Sequence, residues 1–445
     1  MDILDKLRAL EQRKKGKPGS SPLASLVTGR DLDRFRQERK VAIEQFVPGR
    51  IEACASGSCF LSTQRFPPDH QQGFHRLPEA YPLERLRRLA SGEEDLAEPA
   101  PHLVYLDTET TGLAGGAGTF AFLVGLGYWS RNKEPKEFIV EQFFMRDYDE
   151  EPALLEALDE RFRQEGFSAV VTYNGRRFDI PLLIGRHIAN RRRDPIARLP
   201  QIDLLYPVRQ LWKLRHGDCS LAHIERQVLG VRRRGDIPGA EIPRTYFQFV
   251  RGGDPRRMIP IFSHNTDDIL SLAALTGRVL EQLSVTSPEQ LDPVESYSLG
   301  RIHLRNGSLE QAGVFFERLD PEQLPFQIYL RSQRELSLAH KRRGQWEKAV
   351  QLWCETVEIF ESHPPDDEES RGLSLFAFEE LAKFFEHRRK ELDQARQFVL
   401  RALELAGRLH CPEAENRLRH RLARLERKSA SPRHRPEHRE EEDMK

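Results

Sequence analysis

The stretch His102-Leu-Val-Tyr-Leu-Asp107-Thr108-Glu109-Thr110-Thr-Gly112-Leu113 decides how the rest of this chain is read. Its first half is an apolar run of strand type. Two acids then interrupt it where core packing gives no reason for them. Side chains two apart on a strand leave the same face of a sheet, so Asp107 and Glu109 can present two carboxylates to one hard cation. Taken alone, an Asp-x-Glu at a strand end fits an exposed turn or a helix cap equally well.

Two motifs further along change that balance. Ala169-Val-Val-Thr-Tyr-Asn174-Gly175-Arg-Arg-Phe178-Asp179-Ile-Pro181 reads as strand, tight turn and helix start. Pro181 suits a first helical turn, so Asp179 also has a structural reading as an N-terminal cap. In Ser263-His264-Asn-Thr-Asp267-Asp268, the apolar residues that follow recur with a helical period, which puts His264 and Asp268 one turn apart on one face. Carboxylates from three segments, with an imidazole among them, are what a centre needs to hold divalent ions and activate water.

In this order the motifs resemble the DEDD superfamily of 3′–5′ exonucleases, which have the ribonuclease-H-like fold. The run at 107–127, with its Asp-Thr-Glu-Thr-Thr-Gly-Leu, Gly-rich loop and Phe-Leu-Val-Gly-Leu-Gly, is similar to the YprB-type branch, and the resemblance covers residues 100–285. It implies a metal-dependent exonuclease acting on single-stranded DNA or RNA with two divalent ions, Mg²⁺ or Mn²⁺. Asp107 would ligate both ions, Glu109 and Asp268 would complete the catalytic ion's shell, and Asp179 would hold the second. His264 would be the general base, and Thr108, Thr110, Gly112, Leu113, Asn174 and Phe178 would line the substrate. The chain departs from the family in one respect: its histidine stands four residues before the last aspartate, the spacing usual for tyrosine, where a catalytic histidine usually stands five before. Asp267 is a rival ligand to Asp268. An endonuclease built on the same residues, or a scaffold that keeps the fold without turnover, stays open, as does the choice between DNA and RNA.

The Gly-rich run at 113–119 is not a dinucleotide loop, because it leads into a second strand-like run, Phe120 to Gly127, where such a loop leads into a helix. Lysine plus arginine equals aspartate plus glutamate at 69 each, so net charge points to no partner. Between Gly185 and Arg257, however, 16 basic residues face 7 acidic ones, the local excess that a polyanion needs. Tyr246, Phe247 and Phe249 lie there and could stack on bases, with core packing expected for at least two of them. The five scattered cysteines argue against a disulfide framework. Cys54, Cys59, His70 and His75 are loosely finger-like, a zinc reading outweighed by that of a small ordered segment. Without a signal-like start or an 18-residue apolar run, the expected location is the cytoplasm.

The 445 residues allow two or three domains. The expected division is an N-terminal extension and linker over 1–98, the catalytic domain over 99–285, a helical domain over 290–427 and a disordered charged tail over 428–445. In the helical part, small residues recur at the offsets of a tetratricopeptide repeat: Gly300, Gly307 and Ala312; then Gly344 and Ala349; then Ala382, Ala395 and Ala402. The expected fold is therefore an α/β ribonuclease-H-like domain, a mixed central sheet flanked by helices, followed by an all-α TPR-like domain. That second domain would offer a surface to a protein or nucleic-acid partner.

Overall fold

The computed structural model of the protein describes residues 43–91, 101–112, 118–131, 133–362, 367–408 and 410–430. The basic start of the chain, residues 92–98 of the expected linker, Leu113 with most of the Gly-rich run, and the tail from 431 lie outside them.

Seven strands carry the main sheet: β1 (Arg50–Cys54), β2 (Gly57–Phe66), β3 (Leu103–Thr110), β4 (Ala121–Trp129), β5 (Phe138–Phe144), β6 (Ala169–Thr172) and β7 (Gln201–Asp203). They lie in the order β1-β2-β5-β4-β3-β6-β7, with the two-residue strand Ala90–Ser91 at the far edge. β3, β4 and β5 form an antiparallel meander, and β6 joins β3 in parallel. β4 and β5 are buried along their whole length, as their nearly unbroken apolar sequences require. The sheet is mixed and flanked by helices, as expected. β1 and β2 enlarge it from a segment read as part of the N-terminal extension.

Four helices matter to the site's surroundings: α1 (Glu151–Glu165), α2 (Asp179–Ala189), α3 (Ile242–Val250) and α4 (Ile259–Gln282). α1 packs on β1, β2 and β5 and ends at Gly166, whose φ of 59° is the left-handed conformation that suits glycine at a helix end. On α3, Tyr246 stacks on Phe122 with ring centroids 3.9 Å apart, and Phe249 packs against Phe144. Both are core residues, while Phe247 is exposed at its edge.

The chain forms two compact units from interleaved segments. One comprises Met1–His70, Ala90–Ile202 and Arg233–Ala273; the other comprises Gln71–Leu89, Asp203–Arg232 and Ala274–Lys445. Interleaving arises because the hairpin at 71–76 is tied to residues near 229: Phe74 N–H donates to the Leu229 carbonyl at 2.8 Å, and a Cβ at Gly73 would lie 2.1 Å from that oxygen.

The second unit continues through seven helices: α5 (Pro293–Arg305), α6 (Leu309–Phe316), α7 (Phe326–Arg342), α8 (Trp346–Ser362), α9 (Glu368–Phe384), α10 (Leu392–Arg408) and α11 (Pro412–Ser429). Successive helices pack together, and the small residues sit where they touch: a Cβ at Gly300 would lie 2.3 Å from the Phe316 ring, and Ala312, Ala349, Ala382, Ala395 and Ala402 are fully buried. Among the described residues, no helix is long and apolar enough to cross a membrane.

The last helix is held by charge. Arg421, Arg424 and Lys428 of α11 all bond the buried carboxylate of Glu386, at 2.9, 2.6 and 2.6 Å. Burial alone would raise this carboxyl's pKa, but the ion pairs outweigh it and pull it from the ordinary 4.5 down to about 2. A depressed carboxylate pKa contributes stability that is complete above the unfolded value and disappears as pH falls through the folded one. Arg424 and Lys428 are 41 and 44 % exposed, so solvent screens part of the effect. Glu386→Gln is expected to remove roughly 2 kcal/mol at pH 7. Acid titration followed by helical circular dichroism should show wild type losing its advantage over the variant between pH 4.5 and 2; an advantage independent of pH would mean that packing, not charge, holds α11.

Candidate active site

The site is assembled where β3 ends, beside the start of α2 and the second turn of α4. Leu103 to Leu106 are buried in the sheet, and the strand delivers Asp107 half-buried and Glu109 buried. The ladder to β4 slips between Glu109 and Thr110, a strand irregularity of the kind that re-aims side chains at active sites. Just beyond it, Thr110 Oγ1 donates to the Gly112 carbonyl at 2.9 Å, and Thr111 Oγ1 accepts from Phe120 N–H, closing the base of the loop.

The turn after β6 passes through Asn174 at a φ of 64°, and a Cβ at the next residue, Gly175, would lie 2.5 Å from Thr172. α2 then begins at Asp179 itself, with Phe178 at the cap position. Asp179 is therefore not the cap, and Phe178, which stands there, makes no side-chain capping hydrogen bond. Asp179 instead accepts from Thr108 Oγ1 at 2.5 Å, which ties the second motif to the first. Phe178 is half exposed beside it.

α4 approaches the sheet so closely because β4 carries glycines beneath it. A Cβ at Gly125 would lie 2.2 Å from Asn265 Oδ1, and one at Gly127 would lie 2.2 Å from Ile269. Asn265, fully buried, bridges three elements. Its Oδ1 accepts from Gln142 Nε2 of β5 at 2.9 Å, and its Nδ2 donates to Asp107 Oδ2 at 2.9 Å. Gln142 Nε2 also donates to the Phe262 carbonyl of α4 at 2.8 Å. The Asn265 amide is thus oriented by Gln142, two strands away on the same face of the sheet, and it orients Asp107.

Glu109, His264 and Asp268 bring ligand atoms within 4.8 Å of one another, the one such group found among the described residues. The structure places Asp268 in it and Asp267 outside it. Burial first, then the charges of Asp268, Asp179 and Glu109, hold the Asp107 carboxyl well above the usual carboxylate range. Glu109 is pushed up to about 8, again by burial first, with Asp268 and Asp179 adding to it and His264 opposing. Burial disfavours the His264 imidazolium, but Asp268, the hydrogen bond with Asp236 and Glu109 outweigh it and raise the pKa. These acids repel one another and lack water, the condition a divalent cation relieves. A set of carboxylate oxygens with one imidazole suits Mg²⁺ or Mn²⁺.

Three of the site's residues carried no sequence signal of their own. Asp236 Oδ1 lies 2.7 Å from His264 Nδ1, leaving Nε2 turned towards Asp268 at 3.6 Å. Arg233, read only as part of a basic run, is turned inward onto Asp268. Asn265 was hidden between two more conspicuous residues. Arg192, in the run Arg191-Arg192-Arg193, is also paired internally, with Asp159 at 2.9 Å and Glu156 at 3.5 Å. The finger-like set does not gather: Cys59 is buried, its thiol pushed up to about 12 by that burial, while His70 lies against Phe66 and His75 faces the Val228 carbonyl at 3.3 Å.

Residues 104–280 match the RNase_H superfamily. Uncharacterized protein YprB of Bacillus subtilis (strain 168) is 31 % identical over 379 residues, spanning 84 % of this chain and 87 % of that protein. Among solved structures, a family B DNA polymerase from the hyperthermophilic archaeon Pyrobaculum calidifontis aligns with a TM-score of 0.34 at 15 % identity, over 56 % of this chain and 30 % of its own. With the mixed sheet, the acids at the end of β3 and a YprB relative matched over most of its length, the chain belongs to the YprB family of the ribonuclease-H-like superfamily.

Proposed function

We propose that the protein is a metal-dependent 3′–5′ exonuclease of DEDD type acting on single-stranded DNA or RNA. The observation that carries this reading is the cluster in which Glu109, His264 and Asp268 bring ligand atoms within 4.8 Å of one another, beside buried Asp107 and Glu109 carboxyls whose proton affinity is raised by burial and by their acidic neighbours. Asp107, Glu109, Asp179 and Asp268 would hold two divalent ions, Mg²⁺ or Mn²⁺, which supply an activated water and charge to stabilise the leaving oxygen. Asn265 fixes the Asp107 carboxylate, Thr108 fixes Asp179, and Asp236 fixes the imidazole so that Nε2 is available to take a proton. Phe178, half exposed beside Asp179, offers an aromatic face to a terminal base. The helical region, in this reading TPR-like, is a surface for a protein partner.

The test is degradation of end-labelled single-stranded DNA and RNA with Mg²⁺, with Mn²⁺ and with chelator. Metal-dependent laddering from the 3′ end supports the proposal. No hydrolysis by folded, metal-binding protein would sink it and favour the scaffold reading. His264→Ala is expected to lower the rate by about 10²–10⁴-fold, the usual worth of a general base; an unchanged rate would remove His264 from proton transfer.

A further inference from the structure

Arg233 is out of place for a residue of a basic surface run. Its side chain is 8 % exposed, its guanidinium bonds Asp268, it lies 3.5 Å from Asp236, and its Nη1 is 3.2 Å from His264 Nδ1. It therefore touches one proposed metal ligand and the proposed base. A guanidinium cannot shed its proton, so a buried one persists only where acids compensate it. The need here is mutual: Asp107, Glu109, Asp179, Asp236, Asp267 and Asp268 converge on this region, and Arg233 sets a permanent positive charge among them.

Resting on the metal-site reading above, we propose that Arg233 is the resident cation of this centre: it holds Asp268 until a divalent ion takes that carboxylate, so arginine and metal compete for it. The bonded Asp268 oxygen cannot serve both fully. An ion held by Glu109 and Asp268 would also set a charge of +2 against the guanidinium in a place with little water to screen them. The displaced group is a rigid fork of donors, the geometry that matches phosphate oxygens. Release by the metal would deliver it to an incoming phosphodiester. Metal loading and phosphate binding would then favour each other, and by linkage the coupling holds in both directions.

The experiment is titration of full-length, nucleic-acid-free protein with Mn²⁺, free ion being read by its electron paramagnetic resonance signal. Arg233→Gln is expected to bind Mn²⁺ about tenfold more tightly than wild type, while losing thermal stability in chelator. Arg234→Gln, which removes an equal charge from an exposed neighbour, is expected to stay within about twofold, because solvent screens it. In an Asp268→Asn background the effect of Arg233→Gln should shrink to the part due to direct charge repulsion, since the carboxylate they contest is gone. If Arg233→Gln does not fold, Arg233→Lys, which keeps charge and loses the fork, should tighten binding by about threefold. Unchanged or weaker Mn²⁺ binding in a folded Arg233 variant overturns this proposal alone. Failure of wild type to bind Mn²⁺ at all overturns the metal-site reading, and the proposal with it.

Discussion

Asp107→Ala is expected to lower metal-dependent hydrolysis by at least about 10³-fold, equivalent to roughly 4 kcal/mol of barrier, while leaving the fold intact. The residue ends a strand whose apolar part is already buried, so removing the carboxylate removes chemistry and little packing. Its cost to the fold is one hydrogen bond from Asn265, offset by relief of repulsion from Asp268, Asp179 and Glu109. Stability gives a second readout. The folded pKa of Glu109 lies near 8 against an ordinary 4.5, so the folded state keeps a proton that the unfolded chain has already released. Metal-free wild type should therefore lose stability as pH rises between those values, and saturating Mn²⁺ should restore it. In Asp107→Ala the restoration should be largely absent. Hydrolysis near the wild-type rate, or full stabilisation by Mn²⁺, would show that Asp107 is no ligand.

Gly125→Ala should be nearly as damaging by an unrelated route. The added methyl would lie 2.2 Å from Asn265 Oδ1 and 2.8 Å from its Cγ, far inside contact distance, and both groups are fixed in the interior. Either α4 lifts from the sheet or Asn265 abandons Gln142 and Asp107. Both misplace His264 and Asp268, and a displacement of 1 Å at a reacting centre costs about 10²-fold. Overpacking should cost about 1–3 kcal/mol in addition. A double-mutant cycle separates the causes: if the clash is with the Asn265 side chain, Gly125→Ala should destabilise far less in an Asn265→Ala background. Additive effects would place the strain in the backbone of α4.

Much of this was legible in the chain because period and punctuation agree. Leu103 to Glu109 could only be a strand ending in acids, and the apolar spacing after Asp268 could only be a helix. Those patterns mark the segments that meet at the site; the fold class comes from the resemblance of their order to ribonuclease-H-like exonucleases. What escaped was contact between residues distant in sequence. Gln142 sits in an apolar strand as an unremarkable polar residue until Asn265, 123 positions away, is packed against it. Arg233 and Asp236 occupy an irregular segment without periodicity, so their inward direction was invisible, and a count of charges assigned the arginine to the surface. β1 and β2 were missed as sheet members because pairing partners cannot be read from one strand's own residues. Asp179 misled for a local reason: a first-turn aspartate and a cap differ by one position, which a sequence leaves undetermined.

The chain of amides from Gln142 through Asn265 to Asp107 has a direction, donor to acceptor at each step. Nothing that faces the substrate sets that direction; it originates in the buried layer between the sheet and α4. Gln142→Glu would replace the terminal donor by an acceptor and invite Asn265 to rotate, turning a carbonyl on Asp107. Activity would fall although no group facing the substrate had changed. A saturation map of loss of function on this protein should accordingly show a second hot region, wholly interior and centred on Gln142, that surveys of surface or cleft residues would pass over.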